Sequence, residues 1–222
     1  MSSLNWQQSF IKTLPVMLGY IPLGIAFGVL SVQMGFPWWL APVSSIAIYS
    51  GASQFLILSL FASGASLSAI FIAVFLLSTR HIFYGLSLLS RYKDAGRKKP
   101  YLIYALTDET YSLLTSSPDR DTDFKITILN HSWWFSGSVI GVVIGSLINF
   151  DSSGMEFALT ALFIVLTIEL YSNNKALKPL VTGLVCALLA LLFLPSQHLL
   201  LAAISAASIV ILFEYVRAKN GH

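Results

Sequence analysis

SLSAIFIAVFLLSTRHIFYGLSLLS, the stretch from Ser66 to Ser90, decides how this chain folds. It is largely apolar, with Arg80 and His81 its only basic residues, and charge returns only at Arg91-Tyr92-Lys93. A helix of roughly 20 apolar residues crosses a bilayer, so the stretch reads as a transmembrane span. At the α-helical rise, Arg80 then lies roughly 16 Å from Arg91, about half the thickness of the hydrocarbon core. Charge at that depth costs several kcal/mol unless it meets a partner or a water-filled path, which makes Arg80 a candidate site residue.

The rest of the 222 residues agree, being 56% hydrophobic and only 10% charged, with a mean hydropathy of +0.76. Soluble domains carry roughly a quarter charged residues. Apolar segments fall at 10 to 31, 38 to 62, 66 to 90, 101 to 117, 126 to 149, 155 to 172, 177 to 195 and 198 to 217. Backbone polar groups in lipid must be satisfied within the segment, and these runs lack the alternation of barrel strands. The expectation is an all-α, polytopic integral membrane bundle of about seven or eight transmembrane segments, a single membrane domain over 1-222. The first segment, behind Lys12, is expected to stay in the fold rather than to be removed as a signal peptide.

Several function classes drop out. Cys186 is the only cysteine, so no internal disulfide or thiolate cluster can form. No His/Asp/Glu group has metal-ligand spacing, and neither a P-loop nor a G-x-S-x-G elbow occurs. No catalytic residue, metal, cofactor or bound ATP is therefore expected, and the net charge of +3 is too small for a nucleic-acid surface.

Five of the thirteen basic residues, Arg91, Lys93, Arg97, Lys98 and Lys99, sit in one loop, which marks it as cytoplasmic. If every segment spanned, both termini and the Lys175/Lys178 loop would lie outside, against the same rule. One segment is therefore expected to be broken or re-entrant. The candidates are the first, with Gly19, Pro22, Gly24 and Gly28, and 101 to 117, with Asp108 and Glu109. Gly24 to Leu30 also echoes Gly141 to Leu147, either as an internal repeat or as small-xxx-small helix packing.

Three polar groups inside apolar segments are candidate sites. Tyr49-Ser50-Gly51-Ala52-Ser53-Gln54-Phe55 is soft enough for a ligand or helix to approach, and Gln54 needs partners for its amide. Arg80 and Tyr84 share a helix face, where Arg80 can hold a carboxylate bidentately and His81 can carry a proton. Asp108 and Glu109 are expected to pair with Arg80 and His81, with one carboxyl keeping its proton; Tyr104, Asp108 and Tyr111 fall on one face if that segment is a helix. The structural alternatives are interhelical hydrogen bonds for Gln54, an internal ion pair for Arg80, and an interfacial position for 101 to 117. Glu156, Glu169 and Asn173-Asn174 lie near segment ends, as do His131, His198 and His222, while Trp38-Trp39 and Trp133-Trp134 read as interfacial belts.

In Gly19-Tyr20-Ile21-Pro22-Leu23-Gly24-Ile25-Ala26-Phe27-Gly28, Gly51-Ala52-Ser53-Gln54-Phe55, Arg80-His81-Ile82-Phe83-Tyr84 and Thr107-Asp108-Glu109-Thr110-Tyr111, the sequence resembles the AzlC family; Gly154-Met155-Glu156-Phe157-Ala158 is similar to a further family segment. The resemblance implies the large subunit of a bacterial branched-chain amino acid exporter, a multi-pass protein of the inner membrane. It would work with a small hydrophobic AzlD-like subunit to move leucine, isoleucine, valine and sometimes methionine outward, with protons as the coupling ion. The family supplies no assigned site residues, so the site expectation rests on depth. Ser53, Gln54, Arg80 and Tyr84 are expected to bind substrate, and His81, Asp108 and Glu109 to couple protons or form ion pairs. Gly19, Pro22, Gly24, Gly28 and Gly51 are expected at helix breaks or close packing. The alternative is a non-transporting scaffold for a partner membrane protein.

Overall fold

Helix α1 (Ser2–Gln33) runs unbroken through Pro15 and Pro22. The break expected in the first segment is therefore absent, and Pro22 sits in continuous helix. The computed structural model describes residues 2–117, 120–148, 164, 168, 171, 177–194, 202–203, 206–207, 209–210 and 213. The expected spans 155–172 and 198–217, with Glu156, Glu169, Asn173, Asn174 and His198, lie almost wholly outside the described residues.

After α1 come α2 (Leu40–Ala47), α3 (Gly51–Ala62), α4 (Leu67–Leu88), a 3-10 turn at Gly96–Lys98, α5 (Lys99–Tyr104), α6 (Asp108–Thr115), α7 (Asp123–Leu147) and α8 (Leu177–Phe193). No strand occurs among the described residues, as the apolar runs required. Trp6–Gln33 and Leu67–Leu88 are long and apolar enough to cross a membrane, and Gly51–Ala62 and Leu180–Phe193 are shorter apolar helices.

The chain divides into two compact units, residues 1–55 with 78–152, and residues 56–77 with 153–222. The first is built on α1 and α7, which pack along their length. Their contacts rise together in number: a Cβ at Gly24 would sit 3.0 Å from Gly137 Cα, one at Gly28 2.6 Å from Val142 N, and one at Gly145 3.0 Å from Val29 Cα. The helices are therefore parallel, and only glycine lets their backbones approach so closely. The echoed segments around Gly24 and Gly141 meet face to face along this seam. Gly19 has open space around it and takes no part.

The N-terminal end of this pair is tied by charge. Nε and Nη2 of Arg91 each donate to the Asp123 carboxylate at 2.7 Å, while Nη1 donates to the Ser117 carbonyl at 2.8 Å. Lys12 reaches the Ser117 hydroxyl at 3.1 Å, and Lys98 lies 4.8 Å over the Phe124 ring. Arg91, expected in interfacial water, is thus a largely buried ion-pair partner, and α4 ends before it, at Leu88. Lys98, just before α5, and Ser117, shortly after α6, both lie at this end. The α5–α6 segment is consequently a hairpin whose two ends lie at the same end of the α1–α7 pair. Leu88, Tyr92, Leu102, Leu106, Leu114 and Ile126 form its apolar core.

In the second unit, Leu56, Leu60, Ile70 and Ala73 form an apolar cluster between the later turns of α3 and the first turns of α4. Helix α8 there is apolar from Leu180 to Phe193 and exposes most of its leucines.

Candidate functional site

Two helix interruptions build the site, both within the first unit. Ile48-Tyr49-Ser50 separate α2 from α3, and Ala105-Leu106-Thr107 separate α5 from α6. The second falls in a segment where a break was expected, and it removes the single face once expected for Tyr104, Asp108 and Tyr111. The first ends at Gly51, one of the glycines expected at a helix break or close packing. Helix α2 brings Ser45 to Ser138 and His131, and the first turn of α3 turns back, with Phe55 against Phe27. Irregular backbone at membrane depth survives only where protein or a water-filled cavity surrounds it.

Tyr49 sits at the first tip with φ of +43°, a region that a bulky side chain rarely occupies and that marks strain. Its ring stacks on His131 with centroids 4.0 Å apart. At the second tip, Thr107 is extended and caps α6, its hydroxyl accepting from Thr110 N at 3.3 Å. The tips touch where the Tyr104 hydroxyl donates to the Ile46 carbonyl. His131 lies between them, with Nδ1 3.0 Å from the Tyr101 hydroxyl and Nε2 3.1 Å from the Ser45 carbonyl.

A chain of hydroxyls runs through the second tip. The Tyr20 hydroxyl, halfway along α1, lies 2.5 Å from Glu109 Oε2 and 2.7 Å from Thr107 Oγ1. Thr107 Oγ1 is 3.0 Å from Thr110 Oγ1, which accepts from Asn130 Nδ2 at 3.0 Å. Asn130 Oδ1 and the Tyr49 hydroxyl are fully buried without a hydrogen-bond partner. Tyr49 lies beside Thr107 and Thr110, within the field of Glu109. Each such orphan costs about 1–3 kcal/mol, a price a fold carries when the group has another use.

Around Gln54 the network is closed. Its Nε2 donates to Ser44 Oγ at 2.9 Å and Ser45 Oγ at 3.3 Å, and its Oε1 accepts from Trp134 Nε1 at 2.8 Å. Ser53 pairs with Ser50 at 3.0 Å and Ser78 at 3.3 Å. A Cβ on Gly51 would fall 2.8 Å from the Trp134 ring, so this glycine seats the indole.

Glu109 is bound by Tyr20, and the pairing expected with Arg80 involves a side chain outside the described residues. Asp108 opens α6, where the helix dipole favours a carboxylate. His81 places Nδ1 3.2 Å from the Ser78 carbonyl and meets Tyr84 edge-on, and Tyr84 stacks on Tyr111 at 4.6 Å. Arg80 lies on α4, and its side chain is outside the described residues.

Sequence reasoning quoted Tyr20, Tyr49 and Thr110 only within their runs and gave them no role, passed over Asn130, and placed His131 near a segment end and Trp134 at an interface. Trp134 is instead 3% exposed, in the core of the site. Trp38 and Trp39 are exposed, as a belt requires. A usable signal was present: Ile48-Tyr49 precedes Gln54 and Ile103-Tyr104 precedes Glu109 at the same spacing. No group of three metal-ligating side chains occurs among the described residues.

Apolar helices around two facing interruptions, with a carboxylate and strained tyrosine between them, define a helical membrane protein with a buried polar centre. The chain belongs to the AzlC protein family, which it matches over residues 15–148. It is 32% identical to the branched-chain amino acid transport protein AzlC of Bacillus subtilis, over 90% of this chain and 82% of that one. An uncharacterized membrane protein of Helicobacter pylori is 38% identical over 90% of both chains. The inner membrane protein YgaZ of Escherichia coli is 31% identical over 79% of this chain and 77% of its own length. No solved structure matches.

Proposed function

We propose that this chain is the large subunit of a secondary transporter that exports leucine, isoleucine, valine and methionine across the bacterial inner membrane, driven by the proton gradient. The observation that carries the reading is the meeting of two interrupted helices beside Glu109, in a chain related to a branched-chain amino acid transport protein over most of its length. Secondary transporters place substrate and coupling ions at such interruptions, where half-helix ends and unwound backbone meet the ligand.

In this reading the bundle is one transport domain with several full spans, and it works beside a small hydrophobic subunit of the AzlD type. Arg80 receives the substrate carboxylate, and the Asp108–Glu109 pair serves its ammonium and the coupling proton. An apolar pocket discriminates weakly, since one methylene is worth about 1–3 kcal/mol, so several aliphatic amino acids share the route.

The test is leucine, valine and methionine efflux from cells fed the corresponding dipeptides, with this chain and its small partner co-expressed. Faster efflux that collapses with a protonophore is the expected result. Unchanged efflux, with both chains present in the membrane, would sink the reading. A scaffold role draws on one observation, the closed network around Gln54, and the same flux measurement separates the two.

A further inference from the structure

We propose that Glu109 binds the coupling proton and that Tyr20, Thr107 and Thr110 form the hydroxyl relay that reaches it, an assignment that rests on the transporter reading above. It follows from counting hydrogens. The Tyr20 hydroxyl lies within bonding distance of both Glu109 and Thr107, yet it has one hydrogen and can donate to only one of them at a time. Thr107 likewise stands between Tyr20 and Thr110 with a single hydrogen. The direction of every bond in the chain is therefore set by the state of its last member.

In the structure Tyr20 is placed to donate to Thr107 or Glu109, and Thr107 to Thr110; with Glu109 ionised the chain turns round, Tyr20 donating to Glu109, Thr107 to Tyr20 and Thr110 to Thr107. A proton delivered from water to Thr110 Oγ1 reverses the chain. Thr110 passes its own hydrogen to Thr107, Thr107 passes one to Tyr20, and Tyr20 passes one to Glu109 Oε2. One O–H bond breaks and one forms at each hydroxyl, an O–H bond forms on the carboxyl, and the net change is one proton gained by Glu109. The hydrogen now on Thr110 points away from Thr107. Beside Thr110 stands the Tyr49 hydroxyl, buried and without a partner. Protonation at Glu109 thus gives that orphan a donor and carries the state of one hairpin tip to the other.

The surroundings of Glu109 suit this task. From α1 it faces the Tyr20 phenol, from the first tip the Tyr49 phenol, and on its own helix Asp108. The titratable ring on α7, His131, is held behind Tyr49 by Tyr101 and the Ser45 carbonyl. No lysine or arginine among the described residues pairs with Glu109. Among the described residues Glu109 thus has a phenol and no cation beside it, a setting in which a buried carboxyl can take a proton and give it back.

The first test is pH-difference infrared spectroscopy of the full chain in phosphatidylethanolamine–phosphatidylglycerol vesicles, which needs no substrate. A protonated-carboxyl band should appear on acidification, vanish in E109Q, return in E109D and shift in Y20F through loss of its hydrogen bond. A band of full intensity in E109Q, or one unmoved in Y20F, overturns the assignment. The second test reads protons moved per leucine exchanged. The ratio should fall about tenfold in T107V, recover in Thr107→Ser, and hold in Ser132→Ala, whose hydroxyl bonds only its own helix. An unchanged ratio in T107V overturns the relay. If the band behaves as expected and leucine does not move, the transport reading fails while the proton site stands.

Discussion

At the α2–α3 tip, Gln54 has both ends of its amide occupied by Trp134, Ser44 and Ser45, and Ser53 is held by Ser50 and Ser78. At the α5–α6 tip, the residue in the matching place is Glu109, bound by a single phenol, with Asn130 Oδ1 and the Tyr49 hydroxyl unmatched nearby. An Ile-Tyr pair stands at the same distance before Gln54 and before Glu109, and both interruptions last three residues. One network is complete and neutral; the other is incomplete and ionisable. A complete buried network fixes a structure, whereas unmatched polar groups carry a standing cost that function has to justify. The first tip is therefore the anchor of the site and the second its working part.

Exchanging the two residues breaks this contrast most severely. Gln54→Glu deletes the donors that meet Ser44 and Ser45 and sets an unpaired charge against the indole of Trp134. The expected loss is about 3–5 kcal/mol, read as a lower unfolding temperature of the detergent-solubilised protein. Glu109→Gln keeps the shape and the contact with Tyr20, so stability should change by less than about 1 kcal/mol while proton-linked flux is lost. Equal destabilisation by the two substitutions would erase the distinction between the tips.

Next in size is the tie at the ends of the second hairpin. Arg91→Ala strands the Asp123 carboxylate, which is 5% exposed, and frees the Ser117 carbonyl. The expected cost is again about 3–5 kcal/mol at most, lowered where water reaches the vacated space. Limited proteolysis should then cut first between Ser90 and Arg120, leaving the glycine seam of α1 and α7 intact. A first cut within that seam would show that the hairpin is not the weaker element.

Trp134→Phe probes the anchor more gently. It keeps most of the ring on Gly51 and removes one donor from Gln54 Oε1, for an expected loss of about 1–3 kcal/mol. Circular dichroism melting of the purified chain reads it directly.

How much of this was legible follows from what each feature asks of the sequence. The helical fold was, because a bilayer imposes long apolar runs. The interruption near Asp108 was, because two acids in a short apolar segment cannot sit in hydrocarbon. The break at Tyr49 was so only in part: Gly51 was marked for a helix break or close packing, but the residues before it are small or aromatic and equally at home in a helix, and only the positive φ places the break. The parallel seam of Gly24 and Gly28 against Gly137 and Gly141 sets the two echoed segments against each other, a relation between distant segments that spacing alone left open. Tyr20 and Asn130 were hidden because each is unremarkable in its own helix and becomes part of a site only when α1 and α7 bring it to the second tip.

The smallest expected effect is the sharpest on the comparison. Tyr49→Phe removes a hydroxyl that has no hydrogen-bond partner and leaves the ring on His131. If the hydroxyl were structural, its loss would destabilise the protein as the loss of a bonded one does. As an unmatched buried group it should cost nothing, or return up to about 1 kcal/mol, because its desolvation is no longer endured. Transport should nevertheless fall, since the first tip then offers Thr110 no acceptor when Glu109 is protonated. Stability held or gained with flux lost is the signature of a group kept for function. A stability loss that matches the flux loss would instead make Tyr49 one more member of the anchor, and the division between the two tips would move to Asn130, whose Oδ1 would remain the unmatched atom.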